Sequence, residues 1–167
     1  QMVLATGDKA LGTDTTVSFK VNPAEPRLRL ATAKRPSGAF AVDCLSTDGG
    51  GIPRNVIVPM GLALVKLQAL TMKEFVQKTS YNPARILGLR QKGHFRLGAD
   101  ADISVLNLEV QAPVMSMVGG RLIMHKGFVC GQGSQAITSE AGVAFVKEKG
   151  LQPLVVDIAE SGFYRAI

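Results

Sequence analysis

Residues 39–51 read Ala-Phe-Ala-Val-Asp-Cys-Leu-Ser-Thr-Asp-Gly-Gly-Gly, an apolar run that closes on one carboxylate and three glycines. Ala39–Leu45 is apolar without alternation apart from Asp43, which predicts a parallel strand covered on both faces. Asp48 then stands at the strand's end. A carboxylate there is costly to desolvate unless a cation or converging hydrogen bonds offset the cost. Gly49, Gly50 and Gly51 leave room for something to come close to the backbone. Taken alone, the same residues also fit a strand followed by a flexible turn, with Asp48 as an Asx-type turn residue.

Upstream, Thr15–Val21 (TTVSFKV) is β-branched and aromatic and reads as a strand, and NPAEP breaks it. Residues 25–34 form a short helical candidate, and Pro36-Ser37-Gly38 a turn. Strand, short helix, strand is the grammar of an α/β fold. Downstream, IPRNVIVP reads as a loop and Met60–Leu70 as a buried helix, apolar on most faces. Thr71 and Glu74 have capping-box spacing and start a helix at Met72. Asn82-Pro83 reads as an N-cap followed by a first-position proline, opening a short helix through Leu87. From Lys92 onward the chain turns to short strands and tight turns. Val114–Val118 and Arg121–His125 flank Gly119-Gly120, a two-residue hairpin signal. Beyond Thr138 come one helical stretch, SEAGVAFVKEKG, and a strand-like PLVVDI.

At 167 residues, 46% hydrophobic and 19% charged, the chain is globular with room for a substantial core. No apolar run approaches the roughly 20 residues of a membrane helix, and the start lacks a signal peptide's basic and apolar regions. A first residue other than methionine fits a processed chain or a fragment. The net charge of +6 is scattered, and its densest group, Arg27, Arg29, Lys34 and Arg35, lacks interleaved aromatics. That composition predicts a solvated face and no nucleic-acid partner. Cys44 and Cys130, far apart in apolar contexts, predict buried free thiols in a reducing, cytoplasmic compartment. There is no P-loop, G-x-G-x-x-G, G-x-S-x-G or C-x-x-C. His94 and His125 are isolated, with no histidine pair at metal-ligand spacing. Asp100 and Asp102 precede a strand and predict a turn or strand-entry role.

The ordered set LSTDGGG, TSYNPARILGL, KGHFRLGADADISVLN and VMSMVGGRLIMHKG resembles the C-terminal part of the amidohydrolase superfamily of metal-dependent hydrolases. Gly93, Gly98, Asp100, Ala101 and Asp102 match that family's G-x-I-x-x-G-x-D-A-D segment, with Phe95 in place of the usual aliphatic. The glycine-rich loop followed by proline, and GFVCGQGSQ after the hairpin, are most similar to the isoaspartyl dipeptidase and dihydroorotase-like members. One departure is Ile52, where isoaspartyl dipeptidases carry a serine that helps hold the substrate's carboxylate.

The resemblance implies an α/β chain carrying the C-terminal portion of a (β/α)8 TIM-type barrel, followed by strands of a small β-sandwich. Thr15–Val21 would be strand seven and Ala39–Ser46 strand eight. Residues 1–91 would then be barrel, 92–137 sandwich strands with an unpaired edge, and 138–167 a tail of unassigned role. It implies cleavage of an amide or cyclic amide C–N bond, with Asp48 as metal ligand and general base and Gly49, Gly50, Gly51 and Ile52 facing substrate. One or two divalent ions, usually zinc, would be bound mainly by residues upstream of this chain. The N-terminal remainder of the enzyme would be its partner, and the chain alone would be inactive and a weak metal binder. A small-molecule amide or peptide is the implied substrate, without membrane partners and with homo-oligomerisation left open. A second reading is a non-catalytic structural or interaction module, either a pseudoenzyme remnant or a barrel-completing subunit.

Overall fold

The computed structural model describes residues 24–47, 56–131 and 135–162. The expected strand Thr15–Val21 and the residues Asp48–Ile52 lie outside these. The chain divides into two compact units, residues 1–42 and 43–167. In the first, helix α1 (Ala24–Thr32) carries an exposed Glu25–Arg29 pair at 2.7 Å. Fully solvated pairs of this kind contribute little.

The expected strand Ala39–Leu45 does not form. Gly38, at φ +83°, turns the chain back so that Arg35 N–H donates to Ala39 O (2.8 Å) and Ala41 N–H to Ala33 O (2.9 Å). The result is a local antiparallel bridge, Lys34 with Phe40. Residues 43–47 have no ladder partner among the described residues, and their exposure varies along the segment instead of being covered on both faces. A strand exists only where a neighbour completes its hydrogen bonds.

The second unit begins its described helices with α2 (Ile57–Lys66), which starts earlier and ends sooner than Met60–Leu70. It is only partly buried: Leu62 is inside, while Met60 and Leu67 are exposed. A Cβ on Gly61 would sit 2.1 Å from the Phe75 ring, so this glycine lets α2 lie directly against that ring. Leu62, Leu70 and Phe75 are each at most 3% exposed, and each contributes about 1.5–3 kcal/mol by burial. Helix α3 (Met72–Val76) begins with the predicted capping box, in which Thr71 accepts from Glu74 N–H and the Glu74 carboxylate accepts from Thr71 N–H at 2.8 Å. It runs on through a π-turn (Gln77–Tyr81) into α4 (Asn82–Ile86). Asn82 is therefore not an N-cap: its backbone is helical, φ −64° and ψ −45°, inside one continuous rod.

Four antiparallel strands follow in sheet order β1 (Ile103–Asn107), β2 (Ala112–Val118), β3 (Arg121–His125) and β4 (Phe128–Val129). The hairpin reading holds. Val118 pairs with Arg121 across Gly119 and Gly120, at φ +54° and +75°, where the tight turn requires left-handed backbone. On edge strand β4, Phe128 and Val129 are exposed. Cys130 is exposed as well, against the expectation of burial, because it lies just past the end of this edge strand; Cys44 is half-buried and both thiols are free. The parallel pairing in the described residues is in the tail, where β5 (Ala136–Thr138) and β6 (Pro153–Val155) are joined through α5 (Val143–Glu148).

The DAD segment ties the loop after α4 to the sheet. Lys92 Nζ bonds Asp100 (2.8 Å) and Asp102, and Asp102 Oδ1 accepts the Gly119 N–H at 2.8 Å. Hydrogen bonds to Asp100 and then Asp102 hold the Lys92 ammonium above its usual range. Burial raises the Asp102 carboxyl, but Lys92 and the Gly119 N–H outweigh it and keep it low. A carboxyl held below its unfolded value of about 3.9 contributes stability above that pH and loses it as pH falls through the folded value. Asp102→Asn keeps an acceptor for Gly119 but removes the charge. Wild type should therefore melt above the variant at pH 7, with the gap closing in acid. Melts across that range check this, and a gap independent of pH would contradict it.

Candidate functional site

The segment that leads to Asp48 is gripped by the α3–α4 rod, and Pro83 explains how. In the π-turn Asn82 N–H donates to Gln77 O, five residues back. The donor for the Lys78 carbonyl in that register would be residue 83, a proline with no N–H. The Lys78 carbonyl instead accepts the Leu45 N–H at 3.0 Å. Beside it, the Asn82 amide donates from Nδ2 to Asp43 O at 2.7 Å. These two bonds, one to the C=O of residue 43 and one from the N–H of residue 45, hold the segment against the rod.

The grip is buried. Asn82 is 8% exposed and Lys78 0%. Burial pushes the Lys78 ammonium below its ordinary range, with Asp43, Cys44 and Glu74 pulling the other way. Burial and then Asp43 raise the Cys44 thiol against the opposing charge of Lys78. A thiol held up in this way is a poor nucleophile.

Asp48, Gly49, Gly50, Gly51 and Ile52, the residues expected to act, lie outside the described residues. The segment ending at Thr47 is the described part of that site. Other candidates resolve into structural roles. His94 Nδ1 accepts the Arg96 N–H (3.2 Å), so Nε2 carries the proton and donates to Arg90 O (2.7 Å). This histidine fastens a loop. His125 is exposed and faces Phe128 across the β3–β4 turn. A cleft of about 430 Å3 is bordered by Arg85, Arg90, His94, Arg96 and Glu160, with Arg90 and Glu160 paired at 2.5 Å. Among the described residues, no group of three or more His, Cys, Asp or Glu could hold a metal ion. No described helix is long and apolar enough to cross a membrane.

Sequence reasoning missed Lys78 and Asn82. The available signal was their spacing of four residues, which puts them on one face of a helix, with a proline directly after the second.

The family model described as the amidohydrolase family matches residues 22–134. The dihydroorotase of Syntrophus aciditrophicus (strain SB) is 54% identical over 48 residues, 29% of this chain and 11% of the relative. That of Methanothermobacter thermautotrophicus is 29% identical over 115 residues, 54% of this chain and 27% of the relative. A solved chain of the formyltransferase/hydrolase complex (FhcABCD) from Methylorubrum extorquens, in complex with methylofuran, overlays with a TM-score of 0.49 at 19% identity. The overlay covers 72% of this chain and 28% of that one. The chain thus spans 27% or less of each of these two curated relatives.

The buried lysine gives a direct test of the grip's electrostatics. Its folded value lies below the unfolded value of about 10.4, so between the two the folded state binds fewer protons and stability rises with pH. Lys78→Met removes the titration. Wild type should gain in melting temperature relative to Lys78→Met as pH rises from neutral toward 10. A difference unchanged with pH would show that the ammonium is held at no cost.

Proposed function

This chain belongs to the amidohydrolase family, and from that premise we propose that it forms part of a metal-dependent hydrolase opening a cyclic amide C–N bond, as a dihydroorotase does. The observation that carries this reading is the family match over residues 22–134, which includes the whole Asp48 loop. The dihydroorotase relatives favour a cyclic amide over an isoaspartyl peptide, and Ile52 in place of a substrate-binding serine agrees with that choice. On this reading residues 43–47, which have no ladder partner among the described residues, would pair as the end of the eighth barrel strand only beside the rest of the enzyme, and Asp48 begins the loop at the barrel's C-terminal face, where such folds place their chemistry. The strands from Ile103 to Val129 belong to a β-sandwich beside the barrel, and the exposed β4 edge is where strands from the rest of the enzyme would pair.

The Asp48 carboxylate takes a proton from the attacking water as its oxygen bonds to the amide carbonyl carbon. It then passes that proton to the leaving nitrogen as the C–N bond breaks. Gly49–Gly51 let the loop backbone approach the substrate, and Ile52 packs beside it. A divalent metal of the kind the family implies would, when bound, supply Lewis acidity toward the water. The described residues alone do not fit such an ion, and its ligands other than Asp48 are assigned to the rest of the enzyme.

The test is Asp48→Asn in the complete enzyme. Asparagine keeps size and turn geometry but accepts no proton, so kcat/KM should fall by a factor of about 100 to 10,000. The thermal melt should stay within the range of a surface change, about 0.5 kcal/mol. Near wild-type activity in a folded variant would end the assignment.

A further inference from the structure

We propose that the arginine-lined cleft beside α4 is a binding site for a small phosphate ester, with Arg85, Arg90 and Arg96 as its anion-binding groups. The inference goes beyond the hydrolase reading and does not depend on Asp48.

The cleft holds about 430 Å3, within the size range of small-molecule sites. The three arginines that border it come from α4 and the loop after it, and all three are exposed. Three cations around one concavity repel one another, so other groups must gather them. His94 ties two of the arginine backbones together, through Arg90 O at 2.7 Å and the Arg96 N–H at 3.2 Å. Gly162 seats the third. A Cβ there would lie 2.7 Å from Arg85 Nη2 and 2.9 Å from Nε, so the guanidinium rests directly on the tail backbone. The Gly162 N–H in turn donates to Arg85 O at 2.9 Å. Behind the loop, a Cβ on Gly93 would lie 2.6 Å from Ser80 O, so the loop lies directly against the α3–α4 rod. The arginines are thus carried on backbone that is already held in place, as a binding site requires.

Charge selects the ligand. Glu160 pairs with Arg90 at 2.5 Å, while no carboxylate among the described residues lies within ion-pair distance of Arg85 or Arg96. Two cations are left over, and a phosphate monoester carries about −1.5 to −2 charges at pH 7. A carboxylate ligand would neutralise only one of them. Guanidinium forks also match phosphate oxygens with paired N–H donors. Tyr81 and Leu89 give the same cleft an aromatic and an apolar wall, which suits the organic part of an ester.

The experiment is calorimetric titration of the complete enzyme with AMP, inorganic phosphate and adenosine, repeated on Arg85→Gln, Arg96→Gln and Glu160→Gln, with a melt for each. AMP should bind saturably and more tightly than phosphate, and adenosine at least about tenfold more weakly than AMP. Each arginine change should weaken AMP binding by about 10- to 100-fold, and added salt should weaken it in wild type. Glu160→Gln releases Arg90 and should tighten AMP binding, a gain that damage to the fold could not produce. Three results overturn the proposal: no saturable binding of AMP or phosphate, adenosine binding as well as AMP, or both arginine variants keeping wild-type affinity. The last would put the anion elsewhere in the enzyme. Weaker AMP binding in folded Glu160→Gln would contradict the part given to Arg90. If Arg85→Gln does not fold, Arg96→Gln decides alone, because Arg96 meets His94 only through its backbone N–H.

Discussion

Pro83 has no amide hydrogen, and the contact between the α3–α4 rod and the segment at residue 45 follows from that fact. A proline inside a helix leaves a carbonyl without its donor. Here the helix widens into a π-turn, and a passing segment uses the carbonyl. An unsatisfied buried carbonyl would cost roughly 1–3 kcal/mol, so the contact with Leu45 N–H follows from the need to satisfy the rod. Asn82 completes the grip with a side-chain amide that donates sideways to Asp43 O while its backbone stays helical.

Several features around this clamp were legible from local chemistry. Thr71 and Glu74 are a reciprocal donor-acceptor set whose geometry depends on four residues alone, and the helix begins where they say. Gly119 and Gly120 demand positive φ, and the hairpin closes there. The position of Asp100 and Asp102 just before a strand was legible too, although the partners that hold Asp102, Lys92 and the Gly119 N–H, lie 10 and 17 residues away.

What was not legible depended on distant partners. Ala39–Leu45 has a strand's composition, yet composition does not supply a ladder, and the turn at Gly38 pairs Phe40 with Lys34 instead. Asn82 has an N-cap's identity, and only the helix preceding it without a break reveals that its amide is free for Asp43. Lys78, a charged residue on a helix, gave no sign of burial, and the Leu45 N–H that bonds its carbonyl lies more than thirty residues upstream. The sequence nominates Asp48 and its glycines as candidates, whereas the contacts that hold the segment before them were not legible in it.

Amide hydrogen exchange at Leu45 in the complete enzyme tests the central claim most directly, because exchange requires the clamp to open. The account predicts slow exchange at Leu45 in wild type and selective acceleration in Asn82→Ala, with the Phe75 amide of the rod unchanged. A Leu45 amide that exchanges freely in wild type, or that ignores the loss of Asn82, would contradict it.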